Sequence, residues 1–202
     1  MTRWTTTEDT PTTQAGFSVL ELVVVLAVAG VLLAIALPRM SGYGSNNDSR
    51  VLSNALSLAK MRAASNFTQS RLYVSLAGRS QHVELWSKTA VPPDWVAVNG
   101  PTLLTNGEVF GFGPAASPPA NTQALIGQAP VCLDKDLNPI AGTACILFNS
   151  RGIPVDDTGT PTNNDALYVT DGTRLGAVTL SAAGLVTVWD APLGTTPAWA
   201  RK

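Results

Sequence analysis

The sequence predicts an α+β fold, in which a long N-terminal α-helix packs on a C-terminal antiparallel β-sheet head. Three observations lead to this prediction. Residues 17–37 are almost wholly apolar, residues 48–66 repeat apolar side chains at helical spacing, and residues 67–202 hold short strand-like runs separated by turns. A helix followed by many short strands is typical of α+β proteins. The 202 residues suffice for one domain with a hydrophobic core.

The apolar segment at residues 17–37 reads FSVLELVVVLAVAGVLLAIAL. As a helix it would span roughly 31 Å, about the thickness of the hydrocarbon layer of a bilayer, which predicts a membrane-spanning helix. Its only charged side chain is Glu21. Because a carboxylate in lipid is costly and normally has a partner and a role, Glu21 is a candidate functional residue.

The start of this segment resembles the prepilin cleavage motif of type IV pilins, with Gly16 and Phe17 followed by Ser-Val-Leu and then Glu21. The resemblance implies that a prepilin peptidase removes residues 1–16 by cutting between Gly16 and Phe17, and then methylates the amino group of Phe17. It also implies that Glu21 pairs with the Phe17 amine of a neighbouring subunit during assembly. Each charge is expensive alone in lipid, and a pair offsets much of that cost.

The same resemblance implies a cellular location and a set of partners. The chain would be a single-pass inner-membrane protein with its head in the periplasm, and would then join a pilus or pseudopilus at the cell surface. Its expected partners are other pilin or pseudopilin subunits, the prepilin peptidase, the inner-membrane assembly platform and inner-membrane lipid.

The helix at residues 17–66 is predicted to be broken near residues 38–47. Pro38 lacks the N–H that a helix interior requires and is expected to kink the chain. The following stretch, SGYGSNN, is poor helix material. Helical spacing resumes at Asp48, a predicted N-cap, and gives the second half an amphipathic stripe formed by Leu52, Ala55, Leu56, Ala59 and Ala63.

Residues 67–202 are predicted to form the β-rich head. The expected strands are Arg71–Leu76, His82–Trp86, Trp95–Val98, Glu108–Phe112, Ala144–Asn149, Ala166–Thr170, Gly176–Ser181 and Leu185–Asp190. The last two form a hairpin, and residues 113–130 and 154–165 form long loops rich in Pro, Thr, Asn and Gly.

The two cysteines, Cys132 and Cys145, are predicted to form a disulfide, because the chain enters an oxidising compartment. Closing this loop would stabilise the fold by about 3 kcal/mol in the chain-entropy model. A zinc site needs further Cys or His ligands, and His82 is the only histidine. No metal and no cofactor are therefore expected.

No catalytic set emerges from the sequence, so the chain is not expected to be an enzyme. A Ser/His/Asp triad would have to use His82, which reads as a surface or edge-strand residue. Asp134, Asp136 and Asn138 imitate the start of a calcium loop, but the positions that require Gly and Glu hold other residues. Looser calcium binding there, or around Asp156, Asp157 and Asp165, is left open, with solvated turns as the alternative.

Three segments of the predicted head resemble signatures of the GspH/FimT family of minor pilins and pseudopilins. They are AKMRAA at residues 59–64, ILFNSRGIP at residues 146–154 and SAAGLV at residues 181–186. The resemblance implies a minor type IV pilin that primes or caps the filament tip. A minor pseudopilin of type II secretion, a major pilin and a DNA-uptake minor pilin are the alternatives.

Charge bears on the DNA-uptake alternative. The formal net charge is −1, and residues 17–202 hold 12 basic and 12 acidic residues. Nucleic-acid binding needs a surplus of cations on one face, and overall neutrality indicates none. The C-terminal pair Arg201 and Lys202 supplies too few phosphate contacts for more than weak DNA binding, and the tail is expected to fray.

Overall fold

The structure is a computed structural model that describes residues 18–36, 43–162 and 165–202. The chain divides into two compact units, Met1–Met40 and Ser41–Lys202. The predicted α+β class is confirmed in the larger unit, where one helix precedes a set of antiparallel strands.

The first unit contains helix α1 (Val19–Ala36). Its first turn holds Glu21, and its large apolar side chains between Val19 and Leu33 are exposed. Among the described residues, no helix combines the length and the apolar character needed to cross a membrane. The membrane span at residues 17–37 stays a prediction.

The second unit begins with helix α2 (Tyr43–Asn66), which is 24 residues and therefore about 36 Å long. The predicted apolar stripe is confirmed, because the side chains of Leu52, Leu56, Ala59 and Ala63 are fully buried. Spacings of three and four residues put these side chains on one face of the helix, which therefore faces the sheets.

The predicted helix break is wrong for residues 43–47, which belong to α2. Pro38 and the rest of the predicted break up to residue 42 lie outside the described residues. Small side chains at the start of α2 allow close packing there. A Cβ atom on Gly44 would overlap Glu108 Oε1, and one on Gly176 would lie 2.7 Å from the Ser45 carbonyl oxygen. Tertiary packing thus outweighs the poor helix propensity of this stretch.

The predicted N-cap role of Asp48 is also wrong, since this residue lies inside α2 and is buried. Its carboxylate instead accepts hydrogen bonds from the backbone N–H and the hydroxyl of Thr105, each at 2.8 Å. Thr105 lies 57 positions along the chain, so helix propensity and local sequence could not reveal this partner.

The strands form two antiparallel sheets where the sequence suggested one. Sheet A has the order β3-β2-β1-β6-β7, with β4 also paired to β2, and sheet B has the order β11-β10-β9-β8-β5. Sheet A comprises β1 (Ser70–Ser75), β2 (Ser80–Ser87), β3 (Asp94–Ala97), β4 (Thr102–Leu103), β6 (Thr143–Phe148) and β7 (Pro154–Val155). Sheet B comprises β5 (Val109–Phe110), β8 (Asp165–Thr170), β9 (Arg174–Leu180), β10 (Val186–Pro192) and β11 (Ala200–Arg201).

All eight predicted strands overlap observed ones, and the hairpin of β9 and β10 is confirmed. The strands that the sequence did not reveal are β4, β7 and β11, each of two residues. Runs this short carry no alternation of apolar and polar side chains, which is the signal for a strand.

The main core lies where α2 packs against both sheets. It joins the buried stripe of α2 to apolar side chains from sheet A and sheet B, among them Leu72, Val74, Ile146, Phe148, Leu167, Val169 and Val178. A second core on the other face of sheet B contains Tyr168, with Phe112, Trp189 and Trp199 packed around it. Because β8 is buried on both faces, its central residues 166–169 are continuously apolar rather than alternating.

Candidate functional site

The first turn of α1 carries the candidate assembly residue Glu21. Its backbone N–H donates a hydrogen bond to Ser18 Oγ at 3.1 Å, and its side chain is exposed. Ser18 therefore caps α1, with Glu21 as the third helical residue. Gly16 and Phe17, the predicted cleavage and methylation residues, lie outside the described residues.

The capping role of Ser18 is not among the sequence predictions, although a signal for it is present in the sequence. Serine followed three residues later by glutamate, directly before an apolar run, is the pattern of a capping box. The cap begins the helix at this point and so places the Glu21 carboxylate on its first turn.

The three segments that resemble family head signatures meet at Lys60. The Lys60 ammonium donates a hydrogen bond to the Gly184 carbonyl oxygen at 3.0 Å. A Cβ atom on Gly152 would lie 3.0 Å from Lys60 Cγ and 3.1 Å from the Lys60 carbonyl oxygen. Gly152 and Gly184 also have left-handed backbones, with φ of +73° and +74°. The signatures thus form one joint, here named the Lys60 joint, that holds two turns against α2.

The Lys60 joint predicts that two glycine-to-alanine substitutions lower the free energy of unfolding by different amounts. Gly159 has a φ of +83° and open space around its Cα, whereas Gly152 is crowded by the backbone of Lys60. Gly159→Ala should cost about 1 kcal/mol of unfolding free energy, from backbone strain alone. Gly152→Ala should cost about 2 to 3 kcal/mol, because strain and crowding add. Thermal unfolding of the full chain, followed by near-ultraviolet circular dichroism, measures both, and equal losses would contradict the joint.

The face of sheet A opposite α2 is covered by a loop that the disulfide holds. Cys132 is bonded to Cys145 of β6, with 4.9 Å between their Cα atoms. Arg71 Nη1 donates to the Leu133 carbonyl oxygen at 2.5 Å, which ties the same loop to β1. The covalent bond and the hydrogen bond together fix the loop over what we call the outer face of sheet A.

Arg71 is the central charged group of this outer face. Its Nε lies 2.5 Å from Glu84 Oε2, and its guanidinium carbon lies 4.1 Å from the centre of the Trp95 ring. Burial lowers the pKa of Arg71, and the neighbouring Glu84 carboxylate opposes that shift. Its positive charge is therefore already satisfied within the fold by an ion pair and a cation–π contact.

The covering loop leaves a trench of about 470 Å³ on the outer face. We name it the outer trench; its lining includes Trp86, Trp95, Leu133, Leu137, Leu147 and Asp165. Trp86 and Trp95 pack edge to face at one end, with 5.3 Å between ring centres. Asp165, at the start of β8, is partly buried, and burial raises the pKa of its carboxyl to about 6.

A buried carboxylate that the sequence patterns did not predict lies under the first turn of α2. Glu108 is 2% exposed, accepts the backbone N–H of Ser45, and has one oxygen, Oε2, without a hydrogen-bond partner among the described residues. Burial raises the pKa of Glu108 to about 7, and the nearby carboxylates of Asp171 and Asp48 add to the increase. The predicted strand Glu108–Phe112 concealed this role, because the partners of Glu108 are distant in sequence.

Two of the candidate calcium residues, Asp134 and Asp156, hold turns in the part of the chain that the structure describes. Asp134 Oδ1 accepts the backbone N–H groups of Asp136 and Asn138, each at 2.8 Å, and so forms a turn. Asp156 Oδ1 does the same for the N–H groups of Thr158 and Thr160. Within residues 18–36, 43–162 and 165–202, no three His, Cys, Asp or Glu side chains are grouped as metal ligands.

His82 lies in a central strand, which corrects the prediction of an edge-strand position. Its strand, β2, lies between β1 and β3, and its side chain is partly buried. His82 Nε2 lies 2.9 Å from Glu84 Oε1, and the imidazole is 4.9 Å from the ring of Tyr73. These contacts make His82 part of the packing of the outer face.

The C-terminal tail is ordered, so the predicted fraying is wrong. Strand β11 pairs with β10, and the Trp199 indole N–H donates to the Ser117 carbonyl oxygen at 3.0 Å. Lys202 Nζ lies 3.4 Å from Asp190 Oδ2, while Arg201 is exposed. One of the two terminal cations therefore has an internal counter-charge, which further weakens the case for DNA contact.

The comparisons with known proteins locate the resemblance at the N-terminus. Residues 11–37 match the prokaryotic N-terminal methylation motif. No curated protein matches the chain. Among solved structures, the chain is similar to the minor pseudopilin EpsH from the Type 2 Secretion System of Vibrio cholerae, with 11% sequence identity and a TM-score of 0.36. That alignment covers 79% of this chain and 96% of EpsH, and values this low establish no relationship by themselves.

The methylation motif includes the Gly16–Phe17 pair, the capping residue Ser18 and the carboxylate of Glu21. The larger unit of the chain is an α+β fold in which the long helix α2 precedes two antiparallel sheets. Residues 11–37 therefore carry a prokaryotic N-terminal methylation motif.

Proposed function

We propose that the chain is a minor type IV pilin, a structural rather than catalytic subunit that primes or caps the tip of a pilus. The observation that carries this proposal is the match of residues 11–37 to the methylation motif, with Glu21 exposed on the first turn of α1. The head stays in the periplasm until assembly. Other pilins, the prepilin peptidase and the inner-membrane assembly platform are its partners.

The exposed apolar surface of α1 supports a membrane anchor at residues 17–37. Large apolar side chains surround this helix, and its single charged group is Glu21. A helix that is apolar on every side needs either protein or lipid around it. Inner-membrane lipid surrounds it before assembly, and the helices of neighbouring subunits do so in the filament.

Processing then creates the group that Glu21 recognises. Cleavage between Gly16 and Phe17 frees an amine at Phe17, and methylation retains its positive charge. In lipid, a pair formed by this amine and a neighbour's Glu21 is favoured over two separate charges. The pair also sets the register between subunits, because the other contacts between apolar helices are non-directional.

The structure of the head supports the proposal that the chain is a minor pilin. The segments that resemble GspH/FimT signatures converge on the Lys60 joint, as expected if they act together to build one fold. A type II secretion pseudopilin is the competing assignment, since such subunits share the anchor and the cleavage motif. The paired charge of Lys202 and the overall neutrality of the chain speak against DNA uptake.

Mass spectrometry of processed protein combined with quantitative proteomics of sheared filaments tests the proposal. The expected N-terminus is N-methylated Phe17, and the chain should be a rare component of pili. An intact Met1 terminus in cells with active prepilin peptidase would remove the basis of the proposal. If the chain were the most abundant subunit, it would be a major pilin. Co-purification with secretion pseudopilins in place of pilins would favour the competing assignment.

A further inference from the structure

The outer trench is formed by an apolar floor on sheet A and by walls from the loop that carries Cys132. Leu147 and Val155 belong to paired strands and lie side by side in the floor. Leu133 and Leu137 contribute apolar surface from the loop. Such a cavity, apolar with a few polar groups at its edge, has the general character of a binding site.

Leu137 in this wall is unfavourable for the isolated fold in two ways. Its backbone is left-handed, with φ of +64°, a conformation that leucine rarely adopts and that Asn or Gly tolerates. Its side chain is also 70% exposed to solvent. The left-handed backbone closes the turn between Asp134 and Asn138, where the Leu137 N–H donates to the Asp134 carbonyl oxygen. The exposure of a large apolar side chain has no such use within the fold and points to a contact that Leu137 makes with another molecule.

The charges around the trench are predominantly negative. The lining contains four carboxylates and two cations. Of the cations, Arg71 is paired with Glu84, and Lys135 lies 2.6 Å from Asp136 Oδ2. The trench therefore attracts a cationic ligand and repels phosphate groups, whether of DNA or of anionic lipid.

Asp165 is the carboxylate with the clearest need for a partner. Among the described residues, none forms a hydrogen bond or an ion pair with its side chain. Burial alone raises the pKa of this carboxyl to about 6, which means that its charged form is poorly solvated. A bound ammonium or guanidinium group would supply the missing counter-charge.

We propose that the outer trench binds a segment of a partner polypeptide in which a Lys or Arg is flanked by apolar side chains. The basic group pairs with Asp165, and the apolar side chains contact Leu137, Trp86 and Trp95. Charge complementarity and the apolar lining select this occupant. The binding chemistry stands independently, whereas the identity of the partner as another filament subunit rests on the proposed function.

A peptide titration of the full chain, kept soluble in a non-ionic detergent, tests the site. The probe is an acetylated and amidated pentapeptide of alanine, leucine, lysine, leucine and alanine. Nuclear magnetic resonance should show shifts of the Trp86 and Trp95 indole signals, while those of Trp189 and Trp199 in the second core stay unchanged. The same peptide with glutamine in place of lysine should bind at least about fivefold more weakly.

Two variants separate binding from folding. Asp165→Asn should reduce affinity for the lysine peptide to that for the glutamine peptide. Leu137→Asn should weaken binding of the lysine peptide at least about threefold. At the same time it should leave the unfolding temperature of the chain equal or higher, because Asn tolerates the left-handed backbone.

Several outcomes would overturn the proposal. Equal binding of the lysine and glutamine peptides would remove the role of charge. Shifts confined to Trp189 and Trp199 would place binding elsewhere. Displacement of the lysine peptide by cellobiose at lower concentration would make the trench a carbohydrate site. None of these results depends on filament incorporation, so this proposal and the proposed function can fail separately.

Discussion

Glu21→Ala should leave the precursor inserted in the membrane and reduce its incorporation into filaments at least about tenfold. Removing the charge increases the hydrophobicity of residues 17–37, so insertion of the precursor into the membrane is not impaired. The neighbour's Phe17 amine, however, loses its counter-charge and stays unpaired within a non-polar environment. Immunoblots of membrane and sheared-filament fractions measure insertion and incorporation separately.

Ser18→Ala is the matched control for this experiment. It removes the hydrogen bond from the Glu21 N–H to Ser18 Oγ but leaves the carboxylate in place. The loss of one helix cap costs about 1 kcal/mol, and incorporation should fall much less than with Glu21→Ala. Wild-type incorporation of the Glu21→Ala variant would show that the charge pair does not drive assembly. An equal loss in both variants would assign the effect to the helix end.

Glu108→Gln should stabilise the head above pH 7 and flatten the dependence of its stability on pH. Burial raises the pKa of Glu108 from 4.5 to about 7, so the folded head retains a proton that the unfolded chain releases. The stability from this group is fully present below pH 4.5 and is lost as pH rises to about 7. This loss of folding free energy amounts to roughly 2 to 3 kcal/mol. The Glu108→Gln variant does not lose it, because glutamine stays neutral.

The test compares unfolding temperatures of the wild type and Glu108→Gln between pH 4.5 and pH 8. At pH 8 the variant should unfold about 5 °C higher, and the two curves should converge near pH 4.5. The unfolding temperature of the variant should still fall slightly as the pH rises, because burial also raises the pKa of Asp165, to about 6. Asp157→Asn, which neutralises an exposed carboxylate, is the control and should change little. Parallel curves for wild type and Glu108→Gln would show that Glu108 does not titrate in this range.

Local patterns in the sequence predict the main elements of this protein. The buried stripe of α2 follows from helical spacing, and eight strands follow from apolar runs between turn residues. The prepilin motif depends on consecutive residues, so it too can be read directly, and a family comparison places it at residues 11–37. An element that depends only on residues close together in the sequence can therefore be predicted from the sequence.

Contacts between distant segments decide the rest. Residues 43–47 are helical because Gly44 and Ser45 fit against Glu108 and Gly176, and Asp48 binds Thr105 instead of capping a helix. The two-residue strand β11 exists because β10 offers it a free edge.

The same division holds for the candidate sites. The sequence by itself carries the methylation motif at residues 11–37, which includes Gly16, Phe17 and Glu21 and can be read because it is contiguous. Only the tertiary structure decided that Glu108 is buried among other carboxylates and that Asp165 faces an apolar trench. The physical reason is that burial and charge pairing depend on contacts between segments that are far apart in the sequence. A local sequence pattern does not specify those contacts.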